Sequence, residues 1–267
     1  MAFHLAVYVT GLVLLLASPL TGQSQEIPFG YSGVKGPDKW GSLNPHYSTC
    51  SAGKQQSPVN IANDDVVSNS KLGSLDMDYN SANATLINNG FNIGMLFGND
   101  IGELIADEEI YYLKQMHWHT PSEHTINGIR YPVELHLVHV ADDGKVLMVA
   151  ILYQYGNPDP LIEEIKSYLD QLAKEKCSAD EEIHIPVESV KSNNIERDTS
   201  KYYRYIGSLT IPPCTEDVTW YILGKVVEIS KGQIDAMKAL MDSEYKNNAR
   251  PIQPLNGRKI ELYEDGH

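Results

Sequence analysis

The chain alternates between short apolar-rich runs and clusters of turn-forming residues. The run 84–87 ends at Asn88-Asn89-Gly90, and 110–116 leads into His117-Trp118-His119. The run 133–140 alternates and stops at Asp142-Asp143-Gly144. The run 146–155 follows and stops at Gly156, and 218–227 is again β-branched and aromatic. Runs of this length separated by Asx-Gly turns predict a largely antiparallel sheet. Helical periodicity is sparse. Asp159-Pro160 is a cap-and-start signal, with Leu161, Ile165, Leu169 and Leu172 on one face. Ser230-Lys231-Gly232-Gln233 is a capping-box pattern ahead of Ile234, Met237 and Met241. Both apolar stripes read as core that packs on the sheet.

Residues 1–25 carry no Asp, Glu, Lys or Arg, and an apolar stretch near residues 5–17 precedes small and polar residues. The segment is predicted to be a secretory signal cleaved near residues 22–25, ahead of a domain at 26–267. Its apolar stretch is shorter than the ~20 residues of a membrane span, and no later run is long and apolar enough to span. The expectation is a protein of the secretory pathway, extracellular or delivered to a plastid by that route, with no stable membrane insertion after cleavage. In an oxidising compartment three cysteines, Cys50, Cys177 and Cys214, allow at most one intramolecular bridge. Asn83-Ala84-Thr85 is the only glycosylation sequon, so Asn83 is a candidate glycan site.

The formal charge of −14 argues against nucleic acid and anionic membrane surfaces as partners. With 42% hydrophobic residues the composition is that of a globular protein, and 267 residues suffice for one large core.

Five of the nine histidines fall between residues 117 and 139. His117 and His119 are two apart on a strand, so both side chains leave the same face, with Cα atoms about 6.5–7 Å apart. His136 lies on the next alternating run and shares a face with Glu134 and Val138. The intervening residues include Pro121 and Asn127-Gly128, which can return the chain antiparallel and bring the third imidazole beside the first two. Three imidazoles hold Zn²⁺ tetrahedrally and leave its fourth position to water. Gln115 is in phase with His117 and His119, so Gln115 and Glu134 are placed to fix ligand tautomers.

Three segments around these histidines, Gln115-Met116-His117-Trp118-His119, Ser122-Glu123-His124-Thr125 and Glu134-Leu135-His136-Leu137-Val138-His139, together resemble the active-site signature of the α-type carbonic anhydrases. Trp40-Gly41, Gln56-Ser57-Pro58-Val59-Asn60-Ile61, Ser208-Leu209-Thr210-Ile211-Pro212-Pro213-Cys214, Asn248, Arg250-Pro251 and Gln253-Pro254-Leu255 match further landmarks in order. The cysteine contexts and leading segment are similar to the secreted plant branch. The resemblance implies a mainly β fold: one domain with a central, mostly antiparallel twisted sheet of about ten strands and short peripheral helices.

It also implies roles. His117, His119 and His136 would bind zinc, with Gln115, Glu134 and Asn248 supporting them. Thr210 and Glu123 would orient the attacking water on CO₂. Val138, Met148, Leu209, Ile211, Val218 and Trp220 would line the pocket for CO₂ and bicarbonate. Cys50 would pair with Cys214. For carbonic anhydrase itself, zinc lowers the pKa of water from 15.7 to about 7, equivalent to roughly 12 kcal/mol of differential stabilisation.

Three positions depart from the family pattern. Phe91 stands where fast members place a proton-shuttling histidine. Ile211 replaces a usual hydroxyl residue, and Met148 replaces a smaller Val. The expected activity is therefore CO₂ hydration slowed at proton export. One alternative is a weak or non-catalytic, storage-like protein on the same scaffold. A cupin-type metal motif, His117-x-His119-x-x-x-Glu123, would instead make Glu123 a ligand.

Overall fold

Residues 28–98, 101–175 and 182–266 are described by the structure, a computed structural model. The expected signal segment and Cys177 lie outside the described residues. The described strands are β1 (Asn60–Ile61), β2 (Val67–Ser68), β3 (Asp76–Tyr79), β4 (Ala82–Asn88), β5 (Ile93–Phe97), β6 (Gly102–Ala106), β7 (Glu109–His119), β8 (Thr125–Ile126), β9 (Ile129–Arg130), β10 (Val133–Val140), β11 (Val146–Tyr155), β12 (Ile183–Val190), β13 (Lys201–Ser208), β14 (Glu216–Leu223), β15 (Val227–Ile229) and β16 (Glu261–Glu264).

Thirteen of these strands form one mixed sheet. Ten run in the order β12-β4-β5-β7-β10-β11-β14-β13-β16-β2, with β3, β6 and β15 attached beside that path. Along it the pairings are antiparallel except β11 with β14 and β16 with β2. The mainly β, mostly antiparallel expectation therefore holds. The 146–155 run is a parallel neighbour of β14, a relation that no hairpin signal encodes. The predicted 218–227 run is broken: β14 ends at Leu223, and β15 begins at Val227 and pairs with a later stretch of the same neighbour, β11.

Both helical signals produce helices. Asp159 Oδ1 accepts from the Ile162 amide and opens Pro160–Glu164, which is followed at once by Lys166–Leu172. Leu161, Ile165, Leu169 and Leu172 are all buried. Ser230 and Gln233 form the reciprocal capping box of the helix Lys231–Ala239, burying Ile234 and Met237.

Two apolar clusters lie on the two faces of the central strands. The larger holds Leu113, Met116, Trp118, Leu135 and Leu137. The smaller holds Val138, Met148, Ala150, Leu209, Val218 and Trp220. Leu113 and Met116 share the larger cluster although they are three positions apart, a spacing that strict alternation would put on opposite faces. The register between β10 and β7 explains this: it skips Lys114, pairing Val138 with Gln115 but His139 with Leu113. A bulge of this kind resets the alternation. It aims Gln115, His117 and His119 at the face opposite Leu113.

His139 faces away from its neighbour His136 and is wholly buried, with its Nε2 2.6 Å from the Tyr79 hydroxyl. Burial drives this imidazole down to about 3. Between that value and the ordinary 6.5 the unfolded chain binds a proton that the folded chain does not. The His139 contribution is complete above the unfolded pKa and is lost as pH falls toward the folded one. In denaturant titrations, the stability difference between wild type and His139→Gln is expected to shrink by about 1.4 kcal/mol per unit of acidification across that window. A difference that stays flat with pH would show that His139 is not held neutral.

Candidate metal centre

β7 and β10 build the site by register alone. His117 pairs directly with His136, Glu134 with His119, and Val138 with Gln115. Cross-strand partners point the same way, so the three histidines converge. Their ring centroids lie 4.7 to 5.1 Å apart. One nitrogen from each lies within 4.8 Å of the others.

The outer partners decide which nitrogens face inward. Glu134 Oε1 is 2.6 Å from His136 Nε2 and 2.6 Å from His124 Nδ1, while its Oε2 accepts from the amides of Glu123 and His124. Burial alone would raise this carboxyl, but His124 and His136 outweigh it and hold it well below the usual range. An ionised carboxylate only accepts, so His136 Nε2 and His124 Nδ1 carry the protons. His136 therefore turns its Nδ1 lone pair inward. Gln115 Oε1, 3.0 Å from His117 Nδ1, and the Asn248 carbonyl, 2.7 Å from His119 Nδ1, are likewise acceptors. They fix both protons on Nδ1 and turn the Nε2 lone pairs inward.

Three lone pairs thus face one another, and His136 Nδ1 and His117 Nε2 are 3.3 Å apart with no proton left to share. Burial first, then the neighbouring imidazoles, holds His117 well below the ordinary imidazole value, and burial also lowers His119. His119 Nε2 is buried with no hydrogen-bond partner among the described residues. A buried acceptor left unpaired is costly. Three converging ring nitrogens, one of them orphaned, fit a divalent cation with nitrogen ligands. The neighbouring group His124, Glu134 and His136 is no second centre, because its donor atoms are used on one another.

Around the centre, Glu123 Oε1 accepts from the Arg250 amide. Its Oε2 is buried without a hydrogen bond, 3.6 Å from His119 Nε2. No hydrogen bond joins Glu123 to Thr210, the residue expected to act with it, although both side chains are buried. Glu123, which the cupin-type motif would make a ligand, is in neither group of residues whose donor atoms converge. Val138, Met148 and Trp220 are successive cross-strand partners, and Leu209 and Val218 join their cluster. Ile211 does not: it is half-buried and packs against the larger core. Phe91 is 5% exposed, its ring edge-on to Phe29 at 5.1 Å, and its carbonyl accepts from Asn248 Nδ2.

Other residues brace the centre. Cys50 and Cys214 are bonded, as the resemblance implied, with Cα atoms 5.0 Å apart. Closing a loop across 164 residues stabilises by about 5 kcal/mol in the chain-entropy treatment. The bridge also ties down the turn that carries Thr210. Arg250, buried, donates from Nη1 to Gln56 Oε1 and the Ser57 carbonyl, and from Nη2 to the Cys50 carbonyl. Its amide bond to Glu123 thus links the bridge to the centre. Tyr205 joins His124 Nε2 to Ser57 Oγ, at 2.7 Å on each side. Tyr205 was not singled out from sequence, since a tyrosine on an apolar strand reads as core.

The fold and these three histidines define a protein with a candidate metal site on a large β-sheet. Residues 35–264 match the eukaryotic-type carbonic anhydrase family. The chain is 38% identical over 239 residues to alpha carbonic anhydrase 7 of Arabidopsis thaliana, covering 90% of this chain and 85% of that one. Dioscorin, in its crystal structure with ascorbate, superposes with a TM-score of 0.84 at 36% identity, covering 89% of this chain and 98% of that one. The α-carbonic anhydrase of Thermovibrio ammonificans, in complex with the inhibitor sulfanilamide, gives 0.77 at 34%, covering 90% and 100%. The chain belongs to the eukaryotic-type carbonic anhydrase family.

Proposed function

We propose that the protein is a zinc-dependent enzyme that reversibly hydrates CO₂ to bicarbonate and a proton. The observation that carries this reading is the set of three inward lone pairs, each fixed by an outer acceptor and one of them orphaned. His117 and His119 would hold the metal through Nε2 and His136 through Nδ1. Zinc in such a site supplies Lewis acidity that makes water a nucleophile near neutral pH.

The rest is the work of this chain's residues. Glu134, Gln115 and the Asn248 carbonyl hold the ring protons on the outer nitrogens and keep the ligands oriented. The free oxygen of Glu123 would become the acceptor for the Thr210 hydroxyl, which would then have only its lone pairs to offer the attacking water. Val138, Met148, Leu209, Val218 and Trp220 present an apolar surface suited to an uncharged linear substrate. Ile211 contributes no polar contact to the charged product.

Purified protein is expected to contain one zinc per chain by elemental analysis. It should hydrate CO₂ in stopped flow, lose the activity on chelation and regain it with Zn²⁺. A zinc-loaded protein without activity would favour the non-catalytic alternative. Binding of iron or manganese in place of zinc would overturn the metal assignment.

A further inference from the structure

We infer that Asn83 carries an N-linked glycan whose first sugar rests on Leu96, on the open side of the face that bears the histidines. The sequon lies within β4 (Ala82–Asn88), which pairs with β5 without a register shift; the irregularity opposite Asn83 belongs to β12, where Val187 pairs with Ala84 but Val190 with Ala82. Asn83 is exposed, and its Oδ1 accepts from the Ser189 amide. That bond leaves Nδ2, the atom that takes the sugar, pointing free of protein donors and acceptors among the described residues. The Cys50–Cys214 bridge places folding in an oxidising compartment, where the transfer takes place. In the transfer, Nδ2 forms a bond to the anomeric carbon of a lipid-pyrophosphate-linked oligosaccharide. The carbon–oxygen bond to pyrophosphate breaks, the lipid pyrophosphate leaves, and the amide proton passes to a base.

The register locates the glycan. Thr85 pairs with Leu96, Leu96 with Gln115, and Ile87 with Gly94, which in turn pairs with His117. Asn83, Thr85 and Ile87 therefore share the face of the three histidines. Asn83 stands four residues along the strand and two strands across from His117, about 16 Å away. Exposure rises in that direction. Ile87 is buried, Thr85 and Leu96 are half-buried, and Asn83 and Gly98 are exposed. Among the ligands His117 is 8% exposed, against 0% for His119 and 1% for His136, so solvent approaches from the same side. A concavity lined by Asn83, Ala84, Thr85, Leu96, Phe97 and Gly98 adjoins the amide; there Leu96, the partner of Thr85, offers its apolar side to a sugar ring, while Phe97, the partner of Ala84, turns to the larger core on the other face. On the metal-site reading above, the oligosaccharide would flank the entrance, where bulky ligands meet it and CO₂ does not.

Protein secreted from a eukaryotic host should lose the mass of an oligosaccharide on treatment with peptide-N-glycosidase. The tryptic peptide 72–114 should then carry Asp at position 83. Hydroxyl-radical footprinting should oxidise Leu96 several-fold more in Asn83→Gln than in the glycosylated protein, with Phe97 on the other face unchanged as the internal control. Enzymatic deglycosylation of folded wild type gives the same comparison if the variant is not secreted. Unmodified Asn83 in secreted, disulfide-bonded protein overturns the inference, and equal oxidation overturns the placement of the sugar. Neither readout depends on zinc or on activity, so both stand apart from the metal-site reading.

Discussion

His136→Ala is expected to leave the purified protein with far less than one zinc per chain, and with CO₂ hydration near background. Two neutral imidazoles form neither a closed tetrahedral cage nor the three-ligand arrangement of catalytic sites. The loss reaches beyond one ligand. Glu134 accepts four hydrogen bonds, and the one from His136 Nε2 is among the two shortest. The variant keeps the carboxylate buried while removing that donor, which is a second cost on the same face. The contrast with Gln115→Ala makes the test specific. That variant removes only the acceptor of His117 Nδ1, and an outer partner of a ligand typically costs 10- to 100-fold in metal affinity. The expected order is therefore stoichiometric zinc in wild type, weakened but saturable zinc in Gln115→Ala, and almost none in His136→Ala. Elemental analysis after dialysis against a weak chelator reads this order, with thermal unfolding as the control for folding. Full zinc retained in His136→Ala would remove His136 from the ligand set.

This order rests on hydrogen bonds, and the sequence made some of them legible and hid others. The 133–140 and 146–155 runs appear as strands with the boundaries that their alternation predicts, because each is a continuous apolar run closed by Asp-Gly or Gly turns. The same alternation put Gln115, His117 and His119 in phase and brought His136 to the same face. It did not show the bulge at Lys114. A bulge depends on how two strands meet, and each strand alone keeps an unbroken pattern. Nor does local pattern reveal that β11 lies parallel to β14, since their connection is long and passes through helices and other strands. Ile211 illustrates a third limit. Its place beside Thr210 suggested the substrate pocket, yet the turn between Leu209 and Thr215 directs it to the larger core. Tyr205 and Arg250 act through contacts more than 80 residues away in sequence, and no short motif encodes such partners.

Proton export is where turnover is expected to be limited. Phe91 has no titratable atom, and its ring is enclosed beside Phe29. Without a side-chain carrier, the product proton must pass to bulk water or to buffer. The rate to water is about the recombination constant times the acid constant. A diffusion limit of roughly 10¹⁰ M⁻¹s⁻¹ and a pKa of about 7, borrowed from carbonic anhydrase itself, give on the order of 10³ s⁻¹. The figure for carbonic anhydrase with fast proton export is about 10⁶ s⁻¹. Turnover should therefore rise several-fold with the concentration of a small imidazole buffer at fixed pH. kcat/KM should barely move, because it reports attack on CO₂. The packing of Phe91 sharpens the expectation for Phe91→His. An imidazole in that apolar contact would be desolvated and held neutral, and it would replace an edge-on aromatic pair worth about 0.5–1.5 kcal/mol. The single variant is expected to lose stability and to gain little turnover. A double variant that also opens the contact, Phe91→His with Phe29→Ala, should lose more stability but free the imidazole to carry protons and raise kcat in dilute buffer. A wild-type kcat near 10⁶ s⁻¹ with no buffer dependence would show that another group carries the proton. A low kcat/KM in saturating buffer would move the limit to the apolar surface around Met148.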